Sequence, residues 1–161
     1  MPRASLAVLC RHKVDFVCIG GVAAIMNGAN HVTVDLDVCP ETSRANLNRL
    51  SAALTTLDAR IRVDGIEEGL EFAHDGESLS RARTWNLLTN AGDLDLCFLP
   101  DGTDGYADIV RDAWPVDVEG ETALVASLAV VVRSKRAANR QKDLQALPVL
   151  EALLKEREKS D

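Results

Sequence analysis

Residues 19–41, IGGVAAIMNGANHVTVDLDVCPE, decide the reading of this chain. The stretch opens on the pair Gly20-Gly21 and closes on the triplet Asp35-Leu36-Asp37 at the end of an apolar, strand-like run. In an extended chain successive side chains alternate between faces, so Asp35 and Asp37 point the same way while Leu36 and Val38 point into a core. Two carboxylates side by side repel, and each raises the other's pKa unless a cation lies between them. Hard oxygen donors facing a phosphate-sized space suit Mg²⁺, which takes few carboxylates and completes its shell with water and substrate phosphates.

Immediately upstream, residues 15–19 read as a short buried strand feeding the glycine pair, and residues 22–27 as a helix stopped by Gly28. Strand, glycine turn and helix together form a phosphate-binding geometry. Residues 31–38 are expected to form the next strand, ending at Pro40, with Thr42 or Ser43 capping a long helix. In that helix Leu47, Leu50, Leu54 and Leu57 recur at three- and four-residue steps, so one stripe packs on a sheet. Between residues 59 and 88, β-like runs at 61–63, 70–73 and 84–88 are separated by Gly65, Gly69 and Asp75-Gly76, a pattern of antiparallel strands or hairpins.

A second acidic stretch follows at residues 90–102, NAGDLDLCFLPDG: a turn at Gly92, a strand over 94–99 and a stop at Pro100. Asp95, between Leu94 and Leu96, is the candidate for a third carboxylate. Asp93 shares its face by parity but stands beside Gly92, where a turn residue is expected. A helix over 103–112 and a hairpin over 116–125 turning at Glu119-Gly120 come next. Helices then run from Ser127 to the end, interrupted near Pro148, with a charged tail, LLKEREKSD, expected to fray. Residues 126–143 carry Arg133, Lys135, Arg136, Arg140 and Lys142. Such a run is commonly a solvated helix face, and an active-site role for at least one of its members is the alternative.

The 161-residue length suits one domain spanning 1–161, with a core over about 4–145 and a helical tail over 146–161. The net charge of −7 argues against a general nucleic-acid binder while leaving room for a local basic patch. Cys10, Cys18, Cys39 and Cys97 lack metal-ligand spacing and read as small buried hydrophobes. No transmembrane stretch is present, and residues 1–16 lack the long apolar region and small-residue cleavage site of a signal peptide, so a cytoplasmic protein is expected. His12 and His74 lack ligand-spaced partners, and Trp85 and Trp114 read as core or interface anchors.

A glycine turn opening a helix, an Asp-x-Asp on the next strand and another Asp on a later strand suit nucleotidyl transfer. Small residues at Gly20 and Gly21 let backbone N–H groups approach the β and γ phosphates. Asp35 and Asp37 would hold two metal ions, with a third carboxylate on the hydroxyl side taking the acceptor proton as pyrophosphate leaves.

The order IGG, helix, Gly28, then Thr33 to Asp37 (TVDLD) and Leu94 to Leu96 (LDL) resembles the minimal nucleotidyltransferases of the polymerase-beta-like superfamily. Within it, the resemblance leads to the bacterial group that includes toxin-type nucleotidyltransferases of type IV toxin-antitoxin pairs, and it covers roughly residues 4–145. It implies a nucleotidyltransferase fold, an α/β arrangement of a small mixed sheet flanked by helices with a helical C-terminus. It also implies an Mg²⁺- and ATP- or other NTP-dependent enzyme. Position by position, the resemblance makes Gly20, Gly21 and Thr33 nucleotide-binding, and Asp35, Asp37 and Asp95 catalytic and metal-binding. It places Lys135, Arg140, Lys142 and Asp143 in a late helical motif near the triphosphate. Many relatives carry Arg where this chain has His31, and a neutral imidazole would weaken a phosphate contact there and make activity pH-dependent.

The expected acceptor is a hydroxyl on RNA, such as a tRNA 3′ end, or on a partner protein, with a cognate antitoxin as a further partner. Small lincosamide and aminoglycoside nucleotidyltransferases share the Gly-Gly and Asp-x-Asp plan and supply the alternative. Their acceptor pockets are rich in carboxylates and aromatics, and only 4% of this chain is aromatic. A catalytically weak nucleotide- or partner-binding module is the third reading.

Overall fold

Four consecutive apolar residues, FVCI, form β1 (Phe16–Ile19), a strand that must be covered on both faces and so lies in the interior of a sheet. The computed structural model, which describes residues 2–160, places it there. Met1 and Asp161, the outermost residues of the expected 1–161 domain, lie outside the described residues.

β1 pairs antiparallel with β2 (Leu36–Pro40) and parallel with β8 (Glu121–Val125). The remaining strands are β3 (Arg60–Val63), β4 (Ile66–Leu70), β5 (Thr84–Thr89), β6 (Gly92–Cys97) and β7 (Trp114–Val118). All eight join one mixed sheet in the order β4-β3-β5-β6-β2-β1-β8-β7. Seven helices flank it: α1 (Arg3–Arg11), α2 (Gly20–Met26), α3 (Arg44–Thr56), α4 (Gly76–Leu79), α5 (Tyr106–Ile109), α6 (Leu128–Ala138) and α7 (Gln141–Ser160). This is the expected α/β architecture with a helical C-terminus. Among the described residues no helix is long and apolar enough to cross a membrane.

The leucine stripe of α3 behaves as its spacing requires. Leu47, Leu50, Leu54 and the C-capping Leu57 are buried with Leu36, Leu87, Leu94 and Leu96 from the sheet. Ser43 is the N-cap, its hydroxyl accepting from the backbone N–H of Asn46 at 3.2 Å. Cys10, Cys18 and Cys39 are buried and Cys97 partly so, all four free; burial pushes the Cys18 and Cys39 thiols up to about 12.

Several boundaries depart from expectation. β2 begins at Leu36 rather than residue 31. The preceding residues pack their alternate side chains on the glycine pair, since a Cβ at Gly21 would meet His31 Nε2 at 3.2 Å and the Thr33 Cβ at 3.1 Å. The Asp35 N–H donates to Thr33 Oγ1 at 3.3 Å, a local bond that takes the place of a ladder bond. The run expected at 70–73 is β4, shifted to Ile66–Leu70. Asp75-Gly76, expected as a turn, starts the short α4 through a reciprocal capping box with Ser78. The helix expected over 103–112 shrinks to α5 and a 3₁₀ turn, Val110–Asp112.

At the C-terminus the helical break falls at Asn139, in a left-handed conformation (φ 53°), and α7 runs straight through Pro148. Proline removes one helical hydrogen bond, at about 3 kcal/mol. The buried Leu147 and Leu150 on either side anchor the helix regardless. As far as Ser160 the tail is helical, and Arg157 donates to the side-chain and backbone oxygens of Asn27, tying the end of α7 to the end of α2.

Candidate active site

The register of the sheet sets one wall of a cleft. Asp37 on β2 lies opposite Ile19 on β1 and opposite Asp95 on β6, and Asp95 in turn lies opposite Asn86 on β5. Asp37, Asp95 and Asn86 therefore stand in a row on one face, with Asp35 one step before β2. Gly20 closes over this row. Its φ of +65° favours glycine, and a Cβ there would collide with Asp37 Oδ2. The second glycine is less constrained, a Cβ there lying 3.1 Å from the Thr33 Cβ and 3.2 Å from His31 Nε2.

Asp37 is the electrostatic focus of this wall. Burial, then the charge of Asp95 and a hydrogen bond with it, then the charge of Asp35, push its carboxyl up to about 7, while the Lys142 ammonium pulls in the opposite direction. The Asp37 carboxyl therefore keeps its proton toward neutrality unless a cation takes the proton's place.

One residue of this wall escaped the sequence reading. Arg62 reaches from β3 across β5 and donates from Nη2 to Asp95 Oδ1 at 2.9 Å. Its Nη1 lies 3.2 Å from Asp93 Oδ2, is buried and has no well-formed hydrogen bond. Burial works against the guanidinium charge, but Asp95, Asp93 and Asp35 outweigh it and raise the pKa. Asp93 is thus a strand residue opposite Leu88 and a partner of Arg62; the turn falls earlier, at Asn90 and Ala91. The Arg60-x-Arg62 alternation was the available signal, yet only the pairing of β3 with β5 and β5 with β6 shows where Arg62 reaches.

The opposite wall is basic and comes from the junction of α6 and α7. Asp143 has no exposed side-chain surface, and its Oδ2 accepts from Arg140 Nε at 2.7 Å and from the Arg140 backbone N–H at 3.2 Å. Lys135 Nζ lies 3.5 Å from its other oxygen. Burial pushes this carboxyl up, but the Arg140 hydrogen bonds and the two positive charges outweigh burial and hold it below the usual carboxylate range. The hydrogen bond to Asp143 in turn raises the Arg140 pKa. Lys142 is exposed on the same rim and faces the aspartates.

Every candidate residue of the sequence reading lines this single cleft of about 610 Å³: Gly20, Gly21, Thr33, Asp35, Asp37, Asp95, Lys135, Arg140 and Lys142. His31, Arg83, Asn86 and Cys97 line it as well, and among the described residues no Phe, Tyr or Trp side chain does. Arg83 is held by the Leu99 carbonyl and Asp101. Trp85 instead stacks on Phe72, with ring centres 5.7 Å apart, and donates to the Leu79 carbonyl, serving as the expected packing anchor. His74 is likewise structural, paired with the Ser51 hydroxyl at 2.7 Å, and burial lowers its pKa.

The donor set suits a hard divalent cation. Two carboxyl groups in hydrogen-bond contact, beside a third, ask for positive charge between them. Among the described residues no group of three or more His, Cys, Asp or Glu side chains is arranged to enclose an ion. A cation here would therefore draw the rest of its shell from water and ligand phosphates, the Mg²⁺ manner of binding.

No protein-family model matches the sequence, and no curated protein matches it. Solved structures match the fold. A lincosamide antibiotic adenylyltransferase, LnuA, in its lincomycin-bound form superposes with a TM-score of 0.57 at 12% identity, over 92% of this chain and 92% of that one. The enzyme ANT(2″)-Ia in complex with adenylyl-2″-tobramycin gives 0.54 at 14% identity, over 93% and 85%. A candidate nucleotidyltransferase from Thermotoga maritima gives 0.51 at 16% identity, over 96% and 90%. The chain shares the nucleotidyltransferase fold with these proteins.

Proposed function

We propose that this chain is a metal-dependent nucleotidyltransferase, moving a nucleoside monophosphate from a nucleoside triphosphate to a hydroxyl acceptor with release of pyrophosphate. One observation carries the reading: the glycine pair, three aspartates and three cations, drawn from segments more than a hundred residues apart, face one another across a single cleft. Asp35 and Asp37 would hold the cation, with Asp95 beside them. Bound there, a divalent cation neutralises phosphate charge and polarises the α-phosphate. The chain's own residues do the rest. Backbone N–H groups at Gly20 and Gly21 and the Thr33 hydroxyl contact phosphate oxygens. Lys135, Arg140 and Lys142 bind the triphosphate from the opposite wall, and the charges of Arg140 and Lys142 already reach Asp37. Asp95 accepts the proton of the attacking hydroxyl. With no Phe, Tyr or Trp lining the cleft, the base packs on aliphatic surface from Ile19, Val131 and Ala146.

The acceptor favoured here is a hydroxyl on a macromolecule, an RNA end or a partner protein, in the manner of a toxin with a cognate antitoxin in the cytoplasm. The cleft supplies little to seize a free antibiotic: it has no aromatic platform, and Asp101 and Asp143 are already paired with Arg83, Arg140 and Lys135. The antibiotic reading is supported by LnuA and ANT(2″)-Ia, two proteins of like fold with drug or drug-adduct ligands. The apolar cluster running from α1 to α7 supports one domain as the working unit.

Calorimetry of each nucleoside triphosphate with Mg²⁺ tests the site. Binding that vanishes in Asp35→Asn/Asp37→Asn supports it, and absence of binding by the natural chain at millimolar nucleotide overturns it. Label transfer from the preferred triphosphate to RNA, protein or drug then separates the acceptors.

A further inference from the structure

Arg62 stands where the nucleotidyl-transfer reading would otherwise put metal. Of the three cleft carboxylates, Asp95 has one oxygen committed to the Arg62 guanidinium at 2.9 Å. The same guanidinium lies 3.2 Å from Asp93, a carboxylate outside the proposed triad. Both acids are largely sheltered, with side chains 20% and 34% exposed, and Arg62 is 32% exposed. Its position is fixed by the sheet. Ile61 is paired with Leu87, and Asn86, the next residue along β5, is paired with Asp95. A guanidinium is always charged and holds a planar fork of donors, so it is a permanent counter-charge, unlike a lysine or a bound ion. Asp35 and Asp37 have no such partner: neither forms an ion pair with any basic side chain of the described residues.

We infer that Arg62 is the built-in cation of the hydroxyl side of this site. It takes the charge-balancing place beside Asp95 that a second metal ion would occupy, so the chain loads one divalent cation, on Asp35 and Asp37. Asp95 is thereby a proton acceptor positioned by Arg62 rather than a metal ligand, and Arg62 is a positioning residue. A second dication beside Asp95 would lie close to a fixed positive charge in a partly desolvated wall, where like charges repel far more strongly than in water. The one-cation site replaces the two-ion arrangement expected from the sequence. The inference rests on the nucleotidyltransferase reading and narrows it.

The test counts ions, using Mn²⁺ as probe and a triphosphate analogue with a methylene bridge between the α and β phosphates, which cannot react. Free Mn²⁺ is measured by electron paramagnetic resonance with chain and analogue held equal and well above their dissociation constant. The natural chain is expected to bind one Mn²⁺ per nucleotide complex, Arg62→Met two, and Arg62→Lys, which keeps the charge, one. A circular-dichroism melt checks that each variant is folded. The count on the natural chain decides even if Arg62→Met does not fold. Two Mn²⁺ on the natural chain, or one on folded Arg62→Met, overturns the role of Arg62 and leaves the nucleotide site standing. No analogue binding by the natural chain overturns both.

Discussion

Asp37 and Asp143 line the same cleft, yet their surroundings drive them in opposite directions. Asp143 is completely buried and remains a low-pKa carboxylate, because Arg140 and Lys135 answer its charge. Asp37 is pushed up to about 7, by burial first and then by two neighbouring carboxylates. Burial pushes both carboxyls up; the sign of the neighbouring charges decides whether that push is overcome. A carboxylate met by two cations is a structural post that sets the basic wall. One crowded by its own kind is an incomplete arrangement that calls for a proton or a cation from outside.

The largest expected effect tests that distinction directly. Asp37→Asn is expected to lower nucleotidyl transfer by roughly a thousandfold, about 4 kcal/mol of transition-state stabilisation, while leaving the fold intact. Steady-state turnover beside a melting curve checks both halves. Asp143→Asn should do the reverse in kind, losing about 3 kcal/mol of folding stability in urea titrations by removing a buried acceptor from Arg140 and Lys135. If Asp143→Asn melts like the natural chain, the basic wall is not held by that post.

Stability against pH follows next, with opposite slopes for the two acids. The Asp37 carboxyl is higher in the folded than the unfolded state, so its contribution is complete below pH about 4 and lost as pH rises through 7. After allowance for screening at a partly exposed site, the loss is roughly 2 kcal/mol. Asp143 is depressed, so its contribution is complete above the ordinary carboxylate range and lost as pH falls through its folded value. Urea midpoints at pH 5 and pH 8 should therefore favour pH 5 in the natural chain, and Asp37→Asn should flatten that difference. Added Mg²⁺ should restore the pH 8 midpoint in the natural chain alone. The smallest expected effect is a further rise of the Asp37 carboxyl in Lys142→Ala, read by carbon NMR titration, because the Lys142 ammonium lowers it.

The legible part of the site is the part written in local patterns. The glycine pair, the Asp-x-Asp and the LDL strand are each contiguous, and their spacing carries the geometry into the fold. Arg62 was not legible, since its contact depends on the pairing of β3, β5 and β6, and a shift of one residue would turn it to the other face. The start of β2 was misread because His31 and Thr33 alternate with Val32 and Val34 as a strand does. In the fold that alternation packs one set on Gly21 and leaves the valines 88% and 77% exposed. Pro148 misled for another reason: local propensity marks a stop, and burial of Leu147 and Leu150 overrides it.

The parallel pairing of β1 with β8 bears on the order in which the molecule is made. Val17 must wait for Leu124 before the centre of the sheet is closed, a long-range contact of the kind that slows folding. The carboxylates of β2 and β6 leave the ribosome well before α6 and α7 do. During synthesis the nascent chain thus carries its acids without the cations of the opposite wall, and the cleft has both walls only once residues 135–143 have joined the fold.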